Sequence, residues 1–495
     1  MNLNNIPAQL ALIFLILSGC TLGPDFHRAP PPPIKHYTRD KLPANTVSTS
    51  SLAGKSQFFV NGQDIPAEWW KAFHSKPLNQ LIKAALIANP DLQAADAGLR
   101  MAQELALAQR AFFYPRVDGN LNVTRQETAH TLTPVVATNS FFYTLITPQL
   151  TISYVPDVFG ANRRQVESEE AQVAAQIFQR EALILTISSN VALAAIQEAA
   201  LRAQIRAIKR AIAIGKRQLS MLQEEHEAGE IGLEGVSAQQ ALLAQLKTLL
   251  PSLKLQLAKQ HHLLAILCGQ FPSEQLFNRF ELGKLTLPQK LPVSLPSILV
   301  QQRPDIRAAE AQAHAAAALI GVAKAQRFPG ILLTATGGSA AYNIGSLFEP
   351  STLFWALTAN VAQPIYNAGL LKHKQRAAEA AYLQADAKYR SVVLSAFQDV
   401  ADTLKAIQYN ALNLKASQAA VKAAKRSLDI AQIQWQAGSV GYLAVLIAEQ
   451  AYQQSLISLI TSQANRFSSS IALFQALGGG WWAKPGIQPI KKVAT

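Results

Sequence analysis

The chain alternates between long stretches patterned for helix and short stretches patterned for strand. From Leu370 to Ala437 no Gly or Pro interrupts the sequence, and from Ala161 to Ala228 only Gly215 does. At about 1.5 Å per residue, each stretch makes a helix of roughly 100 Å. A helix that long, rich in Ala, Gln, Leu and Lys, cannot be the core of a compact domain, so it packs sideways in a coiled-coil-like bundle. Shorter return helices follow at about Val236 to Leu267 and Leu443 to Leu477, and Pro251 is expected to kink the first.

Between the helices the period changes to two. Val117, Leu121 and Val123 fall on one face and Asp118, Asn120, Asn122 and Thr124 on the other. Trp355, Leu357, Ala359 and Val361 alternate in the same way with Ala356, Thr358, Asn360 and Ala362. Partner strands are expected at about Phe142 to Tyr154 and Ile331 to Gly337. Apolar-out, polar-in alternation is the pattern of a transmembrane barrel strand, and a half-buried soluble sheet gives it too. Four strands cannot close around a lumen, and an open edge cannot face lipid. If these strands cross a membrane, the barrel is shared between chains, and three copies supply twelve strands.

An internal duplication organises these elements. Asn89-Pro90-Asp91-Leu92 recurs 214 positions later as Arg303-Pro304-Asp305-Ile306, and Tyr114-Pro115 recurs as Phe328-Pro329 at the same offset. Ala228-Gly229-Glu230-Ile231-Gly232 recurs 209 positions later as Ala437-Gly438-Ser439-Val440-Gly441. Near-constant offsets mean two copies of one module, each reading helix, strand, strand, long helix, turn, helix. The expected division is a signal peptide at 1–19, a lipidated N-terminal tether at 20–65, repeat 1 at 66–275 with strands at about 116–155, repeat 2 at 276–482 with strands at about 330–364, and a C-terminal tail at 483–495.

The N-terminal assignments rest on chemistry. Leu10 to Leu17 form an apolar run too short to span a membrane as a stable helix but suited to a signal-peptide core. The run ends in Leu17-Ser18-Gly19-Cys20, which resembles the bacterial lipobox, whose cysteine thiol is acylated. Residues 1–9 carry no Lys or Arg, so an ordinary signal peptide with a chance cysteine stays open. Thr21, not Asp, follows the cysteine, and among lipoproteins this resembles sorting to the outer membrane. The proline-rich Gly23 to Pro33 should run extended, with irregular chain to about Asn61. Trp69 and Trp70 read as core or interface anchors.

Composition narrows the function classes. With 49% apolar and 15% charged residues, the chain is not a disordered polyelectrolyte. Beyond residue 20 no charge-free apolar stretch of roughly 18 residues exists, which excludes a polytopic helical membrane protein. A net charge of +14 invites a nucleic-acid partner, yet Lys and Arg are spread along the helices without a cluster, aromatic interleaving or a DNA-binding motif. His261 and His262 are adjacent and therefore point to different helix faces, which is wrong for chelation, and Cys268 reads as a small buried thiol. No phosphate loop, nucleophile elbow or paired-carboxylate motif supports an enzyme.

Lipobox, Gly-Pro-Asp-aromatic (Gly23 to Phe26), Trp69-Trp70, the duplicated module and a terminal Ala-Leu-Gly-Gly-Gly-Trp-Trp (Ala476 to Trp482) occur in one order. In that order they resemble the outer-membrane factor or TolC-like efflux family, in its lipoprotein branch of NodT or OprM type. The resemblance implies a mainly α chain with a membrane β-barrel. It implies a homotrimer whose twelve-stranded outer-membrane barrel continues as a long periplasmic α-helical barrel. The resemblance implies that such a duct passively exports drugs or other small solutes from an inner-membrane pump of the resistance-nodulation-division type, through a periplasmic adaptor (membrane fusion) protein. It needs no catalysis and no cofactor beyond the lipid on Cys20. Ala228, Gly229, Ile231, Gly232 and Leu233, with Ala437, Gly438, Val440, Gly441 and Tyr442, resemble the hairpin tips that meet the adaptor. A helix cap and nothing more is the alternative for these turns. Leu443 and Ile447 match the periplasmic constriction. Many relatives carry acids at the positions of Ala444 and Ile447, so this chain should close by apolar rings, unless the pair simply packs as core. A duct for type I protein or peptide secretion, a periplasmic adaptor lipoprotein and a poreless coiled-coil scaffold are the remaining readings.

Overall fold

The computed structural model describes residues 21–135, 139–274 and 280–483. In chain order its elements are β1 (Phe58–Asn61), α1 (Lys76–Ala88), α2 (Pro90–Arg110), β2 (Arg116–Glu127), β3 (Phe142–Tyr154), α3 (Ala161–Glu227) and α4 (Leu233–Leu267), then β4 (Lys290–Val293), α5 (Pro296–Gln302), α6 (Pro304–Ala325), β5 (Gly330–Ser339), β6 (Leu353–Ala362), α7 (Leu370–Gln436) and α8 (Tyr442–Ala476). The two long helices are uninterrupted, and α4 continues through Pro251. Two hairpins and a four-stranded sheet replace the single hairpin that an adaptor would show.

Two compact units share the chain. One contains Gly98–Gln176, Ala308–Tyr389 and the described part of Met1–Ala29; the other contains Pro30–Ala97, Ile177–Arg307 and the rest from Arg390.

The first unit holds the antiparallel sheet β2-β3-β5-β6. Its register turns the alternation of single strands into a property of the whole sheet. Leu121 pairs with Pro148, Leu150 with Gly337, and Gly337 with Trp355, all on one apolar face. Asn120 pairs with Gln149, Thr151 with Thr336, and Thr336 with Ala356 on the other, more polar face. Leu121, Leu150, Trp355 and Leu357 are exposed. β2 and β6 are the sheet's two edges. Helix connections leave one end of the sheet, and the ends of β2 and β5 at Glu127 and Ser339 mark the other. The start of the expected tether is held in this unit: Arg164 donates to the Leu22 carbonyl at 3.1 Å and pairs with Asp25 at 2.7 Å. Gly23, at φ +105°, lies so close to the Gly321 backbone that an added Cβ would meet Gly321 Cα at 2.5 Å.

The second unit has a conventional core. Trp69 stacks on Phe474 with ring centroids 5.5 Å apart, and Phe73 packs on Phe467. Trp69 and Trp70 are buried, as their pairing in sequence suggested. One window of α3 is apolar enough to cross a membrane by composition, but Ile187, Val191 and Ile196 bury it in this core. Where irregular chain is expected to about Asn61, Phe58–Asn61 instead forms β1, paired in parallel with β4. Arg466, fully buried, donates to the carbonyls of Ala53, Lys55 and Ile407 and fastens the segment before β1 to α8. The duplicated Pro-Asp motif is a joint. Asn89 donates to the carbonyl of Leu267 at the end of α4, and Arg303 donates to that of Ala476 at the end of α8.

Candidate functional site: the hairpin tips and the adjoining helix face

Both tips lie in the second unit and have the same construction. At the first, Glu230 N–H bonds to the Glu225 carbonyl at 2.9 Å and Gly229 N–H to that of His226 at 3.0 Å. At the second, Ser439 N–H bonds to the Gln434 carbonyl at 2.9 Å and Gly438 N–H to that of Trp435 at 2.9 Å. These bonds satisfy the last free carbonyls of α3 and α7 and require a left-handed residue, supplied by Gly229 (φ +78°) and Gly438 (φ +72°). The other two glycines behave differently. Gly232 and Gly441 cap the following helices in ordinary extended conformations, φ −73° and −71°, and an added Cβ at either would meet nothing within 4 Å.

The tips enclose a groove of about 410 Å³ lined by Leu222, Ile231, Gly235, Trp435, Val440 and Tyr442. Trp435 and Tyr442 meet edge to face, centroids 5.0 Å apart. The Tyr442 hydroxyl donates to Gln239 Oε1 at 3.1 Å, and Gln239 Nε2 donates to the Gly215 carbonyl at 2.8 Å. Burial, with the Glu449 and Glu225 carboxylates, pushes the Tyr442 phenol up to about 12, so it stays a donor. Gly215, an interruption in the sequence pattern, is the place where Gln239 reaches the α3 backbone: a Cβ there would stand 3.2 Å from Nε2. Sequence reasoning missed Gln239 and Trp435. The 209-residue offset offered one signal, since it pairs Trp435 with His226 and so exposes an asymmetry between the tips.

Leu443 and Ile447 lie one turn apart on α8, 56% and 62% exposed, while Val445 and Leu446 between them and Ala448 just after them are buried. The pair therefore does not pack as core within its own chain. The next carboxylate on this helix, Glu449, is turned inward and buried, accepting from Gln453 Nε2 at 2.7 Å. Ile447 instead borders a groove with Ala444, Ala448, Arg426, Ile430 and Gln434.

The remaining candidates are structural or lie outside the described residues. Cys20 lies outside the described residues. His261 bonds to buried Glu198 at 3.0 Å, and no group of acidic, His or Cys side chains able to hold a metal occurs among the described residues. Cys268 is buried at the end of α4.

Comparison with known proteins agrees with this geometry. The family model described as "Outer membrane efflux protein" matches residues 81–270 and 295–479, one segment per repeat. The chain is 30% identical over 441 residues to the pyoverdine export outer membrane protein OpmQ of Pseudomonas aeruginosa, covering 87% of this chain and 92% of that one. It is 28% identical over 473 residues to the cation efflux system protein CusC of Escherichia coli, covering 95% and 97%. The solved structure of VceC from Vibrio cholerae superposes with a TM-score of 0.77 at 28% identity, covering 84% of this chain and 99% of VceC. The two-repeat fold, the amphipathic sheet and these matches together show that the chain belongs to the outer membrane efflux protein family, as an outer-membrane channel component of efflux pumps and not an enzyme.

Proposed function

We propose that three copies of this chain close a single duct, with β6 of each pairing to β2 of the next. The observation that carries this reading is the four-stranded sheet with two unpaired edges and one exposed apolar face. Lipid cannot hydrogen-bond an edge strand, so the edges must find partners, and a second copy supplies a strand of matching alternation. The expected layout follows from this: tether and strand pairs at the membrane, helix pairs extending into the periplasm.

Acyl chains on Cys20 anchor each protomer to the outer membrane, each buried methylene contributing about 0.8 kcal/mol. The tips at Ala228 to Leu233 and Ala437 to Tyr442 receive a periplasmic adaptor, which couples the duct to an inner-membrane pump of the resistance-nodulation-division type. Gly232 and Gly441 support this role, because neither backbone strain nor crowding in the chain itself requires glycine there. Their smoothness suits close approach by a partner backbone.

Leu443 and Ile447 form stacked apolar rings that close the duct by excluding water. The relatives export cargo as different as pyoverdine and cations, so the wall shared with them does not dictate cargo, and this chain carries small solutes. Cysteine cross-linking between the β6 and β2 edges, by Leu357→Cys with Val123→Cys, tests the assembly. A ladder ending at three chains is expected; a ladder ending at two, or none, contradicts it.

A further inference from the structure

We propose that the junction between β6 and α7 is a docking surface for an anionic phospholipid of the periplasmic leaflet. This inference rests on the membrane reading of the sheet. Along the sequence the cations are dispersed, but the first unit gathers several where its sheet ends. Arg327, beyond α6, donates to Gln375 Oε1 on α7 at 2.8 Å, and Gln363, just past β6, donates to the Arg327 carbonyl at 3.0 Å. The end of α6, the end of β6 and the first turns of α7 are thus one surface. It carries Lys324, Arg327, Lys372, Lys374 and Arg376, and none of the five forms an ion pair among the described residues. Next to them Ile365 and Tyr366 stand 90% and 88% exposed.

The duplication supplies an internal control. At the matching junction of repeat 1 the backbone is the same: Gly160 and Gly369 both have positive φ, and the bonds Arg164 N–H to Gly160 O (3.0 Å) and His373 N–H to Gly369 O (2.9 Å) correspond. The charges do not correspond. In repeat 1, Asp157 caps α3 through the N–H groups of Asn162 (2.9 Å) and Arg163 (2.8 Å) and also pairs with the Arg163 side chain; Glu170 pairs with Arg110, and Glu167 with Arg164. In repeat 2, Tyr366 stands at the position of Asp157 and Arg376 at that of Glu167. Two of the three acids of repeat 1 are thus absent; the third, Glu170, is kept as Glu379, which accepts from Gln375 Nε2 at 2.8 Å and pairs with no cation among the described residues. The N–H groups of Leu371 and Lys372 have no acceptor among the described residues. A phosphate would complement this charge, and only a lipid also matches the exposed apolar pair at the foot of a membrane sheet. An acyl chain lies along Ile365 and Tyr366 while the headgroup meets Lys372 and Arg376, one turn apart on one face of α7.

The test is native mass spectrometry of the purified, detergent-extracted protein with phosphatidylglycerol, phosphatidylethanolamine or inorganic phosphate. The parent should retain phosphatidylglycerol over phosphatidylethanolamine by roughly tenfold, with excess inorganic phosphate displacing little of it. The double variant Tyr366→Asp with Arg376→Glu installs the acids that repeat 1 already accommodates, so its fold is expected to hold, and it should lose the preference. Equal retention of the two lipids by the parent, unchanged preference in the variant, or full displacement by inorganic phosphate overturns the lipid site. Bilayer recordings on the same samples separate the two readings. A parent that conducts but shows no preference removes the lipid site alone, and a parent that never inserts removes the membrane reading with it.

Discussion

The Tyr442 hydroxyl donates to Gln239 Oε1 at 3.1 Å, so the first residue of the last helix is held by a side chain from the other repeat's return helix. Both groups are buried, and a buried polar atom that loses its partner costs more than the bond itself contributes. Gln239→Leu leaves the Tyr442 hydroxyl and the Gly215 carbonyl without their partner. We expect a loss of about 1–3 kcal/mol, read as a lower thermal midpoint, and looser protection of the tip amides in hydrogen exchange. An unchanged midpoint with unchanged exchange contradicts this coupling.

Gly232→Ala and Gly441→Ala should fold like the parent, because their φ values are ordinary and the added methyl meets nothing. Gly229→Ala and Gly438→Ala should each cost about 1 kcal/mol or more, because an L residue is strained at φ near +75°. Thermal melts of the four variants check the contrast. Weaker adaptor pull-down by the first pair, with melts unchanged, assigns those glycines to the partner and not to the fold.

Acid should release the N-terminal segment. Burial raises the Glu167 carboxyl, but hydrogen bonds from His314 and Arg164 prevail and hold it below its ordinary value of 4.5. A carboxylate depressed on folding contributes stability that is fully present above the unfolded value and is lost as pH falls through the folded value. The Arg164 bridge to Asp25 draws on the same cation, and Phe26 stacks on His314 at 4.5 Å. Limited proteolysis between Thr21 and Arg28 should stay slow at pH 7 and accelerate only as pH falls below the ordinary Glu167 value of 4.5. Cleavage at one rate across that range speaks against the clasp.

Burial also pushes the Cys268 thiol up to about 11, so at pH 8 it is neutral as well as enclosed. Native protein should leave a thiol reagent unreacted for hours, and denatured protein should react at once. Rapid native labelling at Cys268 would place the end of α4 in an open state.

Much of this architecture was legible because its signals are local. The absence of helix breakers marked α3 and α7, and period-two alternation marked β2 and β6 to within three residues. The β1–β4 pair was not legible: each strand has four residues, Pro292 sits in one, and Phe58 and Lys290 meet only through tertiary folding. The tips were located by repetition, but the division of labour between Gly229 and Gly232 depends on φ, which sequence does not carry. The groove residue Gln239 looked like any polar position on a long helix. The cations beyond β6 seemed scattered because Arg327 and Lys372 are far apart in sequence and join only when the strand ends come together.

Whether three chains share a duct closed by apolar side chains is read from single-channel conductance in planar bilayers, with the parent beside Leu443→Ser and Ile447→Ser. A nearly closed parent and a several-fold rise in open conductance in both variants are expected, since polar rings no longer expel water. A parent that conducts freely, with neither substitution mattering, contradicts the apolar gate; trimers that insert and never conduct contradict the duct itself.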